Sequence, residues 1–153
     1  MLYFNVWQPG RQVSGCRLRL RARPEFTAAL QRVTGTGRVT QVIYKICRAD
    51  EWREAERAGA FRGAAIDLAD GFIHLSTAGQ VVETAAKHFA GVGDLMLVAV
   101  AATALGPALK WEPSRGGALF PHLYGVLTTD AVLWVKPLPL TADGHHIFPE
   151  LES

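Results

Sequence analysis

The chain has 153 residues, 49% of them hydrophobic and 20% charged, with two cysteines and a net charge of +2. That suits a single globular domain large enough for a proper core. No run approaches the ~20 apolar residues of a membrane-spanning helix, and Cys16 and Cys47 are too few for a disulfide framework.

Residues 1–39 carry seven arginines against Glu25 alone, a net of +6, while the rest of the chain holds nine Lys/Arg and thirteen Asp/Glu, a net of −4. The basic character therefore belongs to this first segment and is no sign of a nucleic-acid-binding domain. The segment shows no sustained period. Residues 16–21 alternate like a short strand, Pro24 interrupts them, and Gly35-Thr36-Gly37 is a loop. It reads as a basic, poorly ordered extension. Contact with nucleic acid is expected only through it. The start also lacks the order of basic, apolar and small residues that a signal peptide needs, so a cytoplasmic location is expected.

A single α+β domain is expected over residues 40–153. Residues 41–47 form a strand with Val42, Tyr44 and Ile46 on one face and Ile43, Lys45 and Cys47 on the other. Cys47 is a small core residue. Asp50 is placed to cap the next helix, in which Trp52, Ala55 and Ala58 recur at helical spacing before Gly59. Residues 61–68 read as a connection.

The stretch Asp70-Gly71-Phe72-Ile73-His74-Leu75-Ser76-Thr77 packs a turn, a short apolar strand and a helix start into eight residues. Thr77 and Gln80 form a capping box. His74 thus stands at the end of a strand, next to free N–H groups at a helix start, a favoured place for an anion or nucleotide. In the helix, Val81, Ala85, His88 and Phe89 predict a buried stripe with His88 on or beside it. Residues 95–101 are almost wholly apolar, which predicts a central strand buried on both faces. Residues 109–112 are a short strand. Pro113-Ser114-Arg115-Gly116-Gly117 is a loop that lets backbone approach a ligand while a guanidinium clamps it. Residues 132–135 are the last strand, closed by Lys136-Pro137, and the tail is proline-rich and polar with a solvated His145-His146 pair. Helices come early and strands late, which argues α+β with a small, split, mixed or antiparallel sheet and two helices in its N-terminal half.

Polar groups cluster at three places: His74 with Ser76 and Thr77, Glu112 with Ser114 and Arg115, and His122 with Tyr124. Each lies in or beside an apolar segment, where a polar group without a partner costs about 1–3 kcal/mol. The three together predict one shared pocket. If His74, His88 and His122 converged, they could instead hold a metal with Glu112 as base, making a metal-dependent hydrolase. No short ligand spacing supports that, and no metal is expected.

The Asp70–Thr77 run, Gln80, Thr84, His88-Phe89, Leu105-Gly106, Trp111-Glu112-x-Ser114-Arg115-Gly116-Gly117 and Phe120-Pro121-His122-Leu123-Tyr124-Gly125 occur in order. Together they resemble the bacterial domain of unknown function 952 family, over about residues 41–136. The resemblance implies a fold like that of the ADP-ribosyltransferases, which use NAD. On that likeness the protein is an NAD-using transferase acting on a small-molecule nucleotide, away from membranes. Glu112, His74 and His122 are the expected catalytic residues; His74, Ser76, Thr77, Arg115 and Tyr124 are the expected cofactor-binding residues. Leu75 stands where many such enzymes have glycine, Ala101 where an acid is expected, and Glu112 precedes Tyr124 instead of following it. Those departures leave a non-catalytic nucleotide- or ADP-ribose-binding module as the alternative.

Overall fold

The computed structural model describes residues 40–153 apart from Arg115. The basic extension 1–39, with Cys16, and the expected clamp Arg115 lie outside the described residues. In chain order come β1 (Val42–Arg48), α1 (Ala49–Ala58), β2 (Ala60–Phe61), α2 (Ala65–Asp70), β3 (Ile73–His74), β4 (Ser76–Thr77), α3 (Ala78–His88) and β5 (Leu95–Ala101). A 3-10 segment (Ala102–Ala108) leads to β6 (Leu109–Pro113), β7 (Leu119–Leu123), β8 (Leu127–Thr128) and β9 (Val132–Leu138). The strands form three sheets, ordered β4-β1-β5-β9, β3-β7-β6 and β2-β8. Every pairing between them is antiparallel. The architecture is α+β with antiparallel sheets and few helices.

The four-stranded sheet is buried on both faces because β1 and β5 alternate apolar residues on each. Ile43, Cys47, Val98 and Val100 pack with Trp52 and Ala55 of α1, Phe61, and Ile73, Leu123 and Leu127 from the smaller sheets. Tyr44, Ile46, Leu97 and Ala99 face the other way, onto Val81 and Ala85 of α3, with Trp134, Phe148 and Leu151 alongside. β5 lies between β1 and β9, as its apolar run requires.

Several local readings differ from the structure. The connection at residues 61–68 contains the end of β2 and most of α2, a third helix too short for a periodic signal. Arg48, not Asp50, is the N-cap of α1, and its N–H donates to Glu51 Oε2 at 2.9 Å. His88 ends α3 on its exposed side, and the buried stripe is Val81 and Ala85. β9 runs through Pro137 because it is an edge strand, where a missing N–H need not cost a ladder bond. The tail is docked: Tyr44 Oη donates to the Glu152 carbonyl at 2.9 Å and accepts from the Glu152 N–H at 2.7 Å. His145 is exposed, whereas His146 Nε2 bonds to the Val92 carbonyl at 2.9 Å.

One corner decides where the site lies. Leu75 is 2% exposed and its N–H donates to the Pro121 carbonyl at 3.0 Å. Before it, His74 pairs with His122 in the three-stranded sheet; after it, Ser76 pairs with Tyr44 in the four-stranded one. Neighbours in the sequence thus end in different sheets. Among the described residues no helix is long and apolar enough to cross a membrane.

Tyr44→Phe removes both bonds to Glu152 while keeping the ring in the core. It should lower stability by about 1–3 kcal/mol. Denaturant unfolding gives the loss, and faster amide exchange confined to the tail identifies its source.

Candidate functional site

The site is built on a buried carboxylate. Asp67 is the third residue of α2, 2% exposed, and its Oδ2 accepts from the Ala64 N–H at 2.8 Å, closing the helix start on itself. Lys45, on the inner face of β1 and 4% exposed, reaches it with Nζ at 2.6 Å from Oδ2 and 2.9 Å from Oδ1. Oδ1 also accepts from the His74 backbone N–H at 3.0 Å and meets His74 Nδ1 at 2.8 Å. Burial alone would raise the Asp67 pKa; the His74 hydrogen bonds and the Lys45 charge outweigh it and hold the carboxyl far below its usual range. Asp67 is therefore an anion at any neutral pH.

From this hub the strands carry side chains to one surface. His74 and His122 are cross-strand partners on β3 and β7, with ring centroids 5.5 Å apart. Phe72 stacks on His122 at 4.2 Å, and lies 4.6 Å from the His74 ring and 5.3 Å from that of Tyr124. On β6, Lys110 and Glu112 share the face that His122 occupies on β7. Glu112 Oε2 meets His122 Nδ1 at 2.8 Å and accepts from Tyr124 Oη at 3.0 Å. Lys110 Nζ sits 4.2 Å from the Tyr124 ring centre. The His122 hydrogen bond, helped by Tyr124 and Lys110, keeps Glu112 below the ordinary glutamate range, and the same carboxylate raises the Tyr124 phenol. The result is a half-exposed surface with an ionised carboxylate, a protonated phenol and two imidazoles, each held at Nδ1 by an acid.

The structure brings His74, Glu112, His122 and Tyr124 together. It places Ser76 and Thr77 elsewhere. Ser76 is 5% exposed and its hydroxyl pairs with that of Thr84 at 3.2 Å. Thr77 serves as the N-cap of α3, where its N–H donates to Gln80 Oε1 at 3.1 Å. Their displacement follows from the switch of sheet at Leu75. His88 stands apart at the end of α3, and among the described residues no group of three or more His, Cys, Asp or Glu side chains is arranged for a metal. Cys47 is inert: burial pushes its thiol up to about 12.

Sequence reasoning missed Lys45, Asp67, Asp70 and Phe72. Lys45 is the lone charge on an otherwise apolar strand face, and Asp67 interrupts Ala-Ile-x-Leu-Ala; each was a signal of a buried partner. Phe72 passes in sequence for strand bulk. A cleft of about 190 Å³ opens beside Phe72, between Arg62, Leu68 and Gly125, with Asp67 in its wall. A larger hollow of about 410 Å³ between α3 and the tail contains none of the clustered residues. The smaller cleft touches the cluster through Asp67 and Phe72; His74, Glu112, His122 and Tyr124 lie outside its lining.

The profile of the family described as "Protein of unknown function (DUF952)" matches residues 46–135. Three similar solved structures are all of protein CC0527 from Caulobacter crescentus. Its crystal structure is 54% identical with a TM-score of 0.67, covering 69% of this chain and 93% of that one. A crystal structure of its double mutant is 53% identical with the same TM-score and coverage, 0.67, 69% and 93%. The solution NMR structure is 55% identical with a TM-score of 0.62, covering 68% and 90%. No curated protein matches the chain.

Asp67→Ala leaves Lys45 buried and charged without a partner and should destabilise by about 3–5 kcal/mol. Because the folded Asp67 pKa lies below an unfolded value of about 3.9, its contribution is present above that value and fades as pH falls below it. Unfolding free energies measured from neutral to acid pH should show this loss in the native chain and little of it in Asp67→Ala. Gly63→Ala should also destabilise, since at φ +112° its Cβ would stand 2.9 Å from Asp67 Cβ.

Proposed function

Because the chain belongs to the family of unknown function DUF952, and its clustered residues suit nucleotide chemistry, we propose that it is an NAD-using transferase of ADP-ribosyltransferase-like fold. The single supporting observation is Glu112, an ionised carboxylate beside an aromatic surface and held by His122 and Tyr124. Breaking the bond between nicotinamide and ribose builds positive charge on the sugar. A carboxylate that stays ionised suits the stabilisation of that charge and not proton donation. Phe72 and Tyr124 offer ring faces for a planar base. His74 offers a hydrogen bond to a ribose hydroxyl, and His122 orients Glu112. Arg115, three residues beyond Glu112 in the chain, would take the pyrophosphate. Ser76 and Thr77 have no part in this version, since their bonding is internal. The nucleotide is the expected partner and the cytoplasm the expected location.

A second reading is a nucleotide- or ADP-ribose-binding module without turnover. It is favoured by Glu112 itself, one of whose oxygens already serves both His122 and Tyr124.

Glu112→Gln should cut NAD consumption by about 10²–10³-fold, the size of effect of a lost electrostatic group in comparable sites. Thermal shift should show ADP-ribose still binding the variant. Wild-type binding without any turnover favours the module, and an unchanged rate in the variant removes Glu112 from the chemistry.

A further inference from the structure

The Lys45–Asp67 pair takes no part in the reaction proposed above, yet it reaches the site. A buried ion pair is a poor device for stability alone, since apolar residues of similar volume do as well or better. Hydrogen-bond accounting points to another role. Asp67 Oδ2 receives Lys45 and the Ala64 N–H; Oδ1 receives Lys45, the His74 N–H and the His74 ring. An ionised carboxylate can only accept. Nδ1 of His74 must therefore carry a proton, and the nitrogen left bare in the neutral ring is Nε2. Nε2 lies 3.3 Å from Asp70 Oδ2, and the His74 and Asp70 side chains are 38% and 45% exposed. Two acceptors at that distance have no proton between them while the ring is neutral. A donor from outside satisfies both.

We propose that Asp67 is a positioning residue that locks His74 in its Nδ1–H tautomer, so that Nε2 and the Asp70 carboxylate form a two-acceptor site for ligand hydroxyl groups. The naming of that ligand as a ribosyl sugar rests on the nucleotide reading; the state of the ring does not. The device begins in the fold. Lys45 fixes Asp67 from β1, the α2 turn fixes it from the Ala64 side, and Gly63 makes room for it. Asp70, three residues on, comes round the same short helix to the other nitrogen of the ring.

Nitrogen-15 NMR of histidine-labelled full chain, without ligand and at neutral pH, reads the ring directly. His74 should show a protonated Nδ1 and a bare Nε2; the opposite tautomer, or a ring protonated at both nitrogens and so already donating to Asp70, overturns the proposal. Asp67→Asn alone strands Lys45 and risks unfolding, so Lys45→Met/Asp67→Asn removes both charges together. In that double variant the tautomer preference should be lost and ADP-ribose affinity should fall about tenfold, the loss of roughly one hydrogen bond. A double variant that keeps the Nδ1–H ring and native affinity overturns the role of Asp67. Asp70→Asn, on the exposed side, should fold normally and also bind ADP-ribose about tenfold more weakly; unchanged affinity overturns the role of Asp70. Failure of the native chain to bind ADP-ribose counts against the nucleotide reading and against the sugar as ligand. The ring tautomer, measured without nucleotide, still decides Asp67.

Discussion

Charge inside an apolar core is tolerated only when its partners are close and its bonds are complete, and Asp67 meets both terms. Its two oxygens gather a lysine from the central sheet, a backbone N–H from its own helix, and both the backbone and ring of His74. Those elements come from three separate parts of the chain. Because an unpaired buried charge costs several kcal/mol, they must arrive together or not at all. The carboxylate thus ties β1, α2 and β3 into one arrangement. The position of His74 is a consequence of that bond set, as much as of its strand.

The second constraint is the corner at Leu75. A strand only two residues long on each side of it contributes to two sheets. The hydrophobic Leu75 is drawn into the core, with its N–H satisfied by Pro121. This rotates the chain so that His74 faces Phe72 and His122, while Ser76 faces α3 and is satisfied by Thr84. One buried residue therefore divides the most distinctive stretch of the sequence into a site half and a scaffold half.

The β6–β7 hairpin completes the surface by strand register. Lys110 and Glu112 fall on the face of His122, whereas Trp111 pairs with Pro121 on the other. A slip of one residue would exchange those faces and scatter the cluster. The buried ends of the hairpin, Leu123 and the partly buried Leu109 packed on the core, hold the register against that slip.

Period and turn chemistry made β1, α1, α3 and β5 legible in the sequence, and with them the α+β class. Those elements are long enough for alternation or a helical stripe to show, and their burial follows from local pattern. The family likeness likewise named His74, Glu112, His122 and Tyr124 as candidates, and the fold sets those four on one surface. The sequence was silent on α2, since six residues span too few turns for a periodic signal, and without that helix the lone acid at Asp67 had no partner to be read against. It also grouped Ser76 and Thr77 with His74, because adjacency in a chain looks like adjacency in space. Only the folded molecule separates them at Leu75 and brings Lys45 to Asp67 across 22 positions of sequence. The physical reason is general: local pattern fixes which residues are hidden, but which hidden charge meets which partner depends on long-range packing, where one buried bond outweighs any propensity.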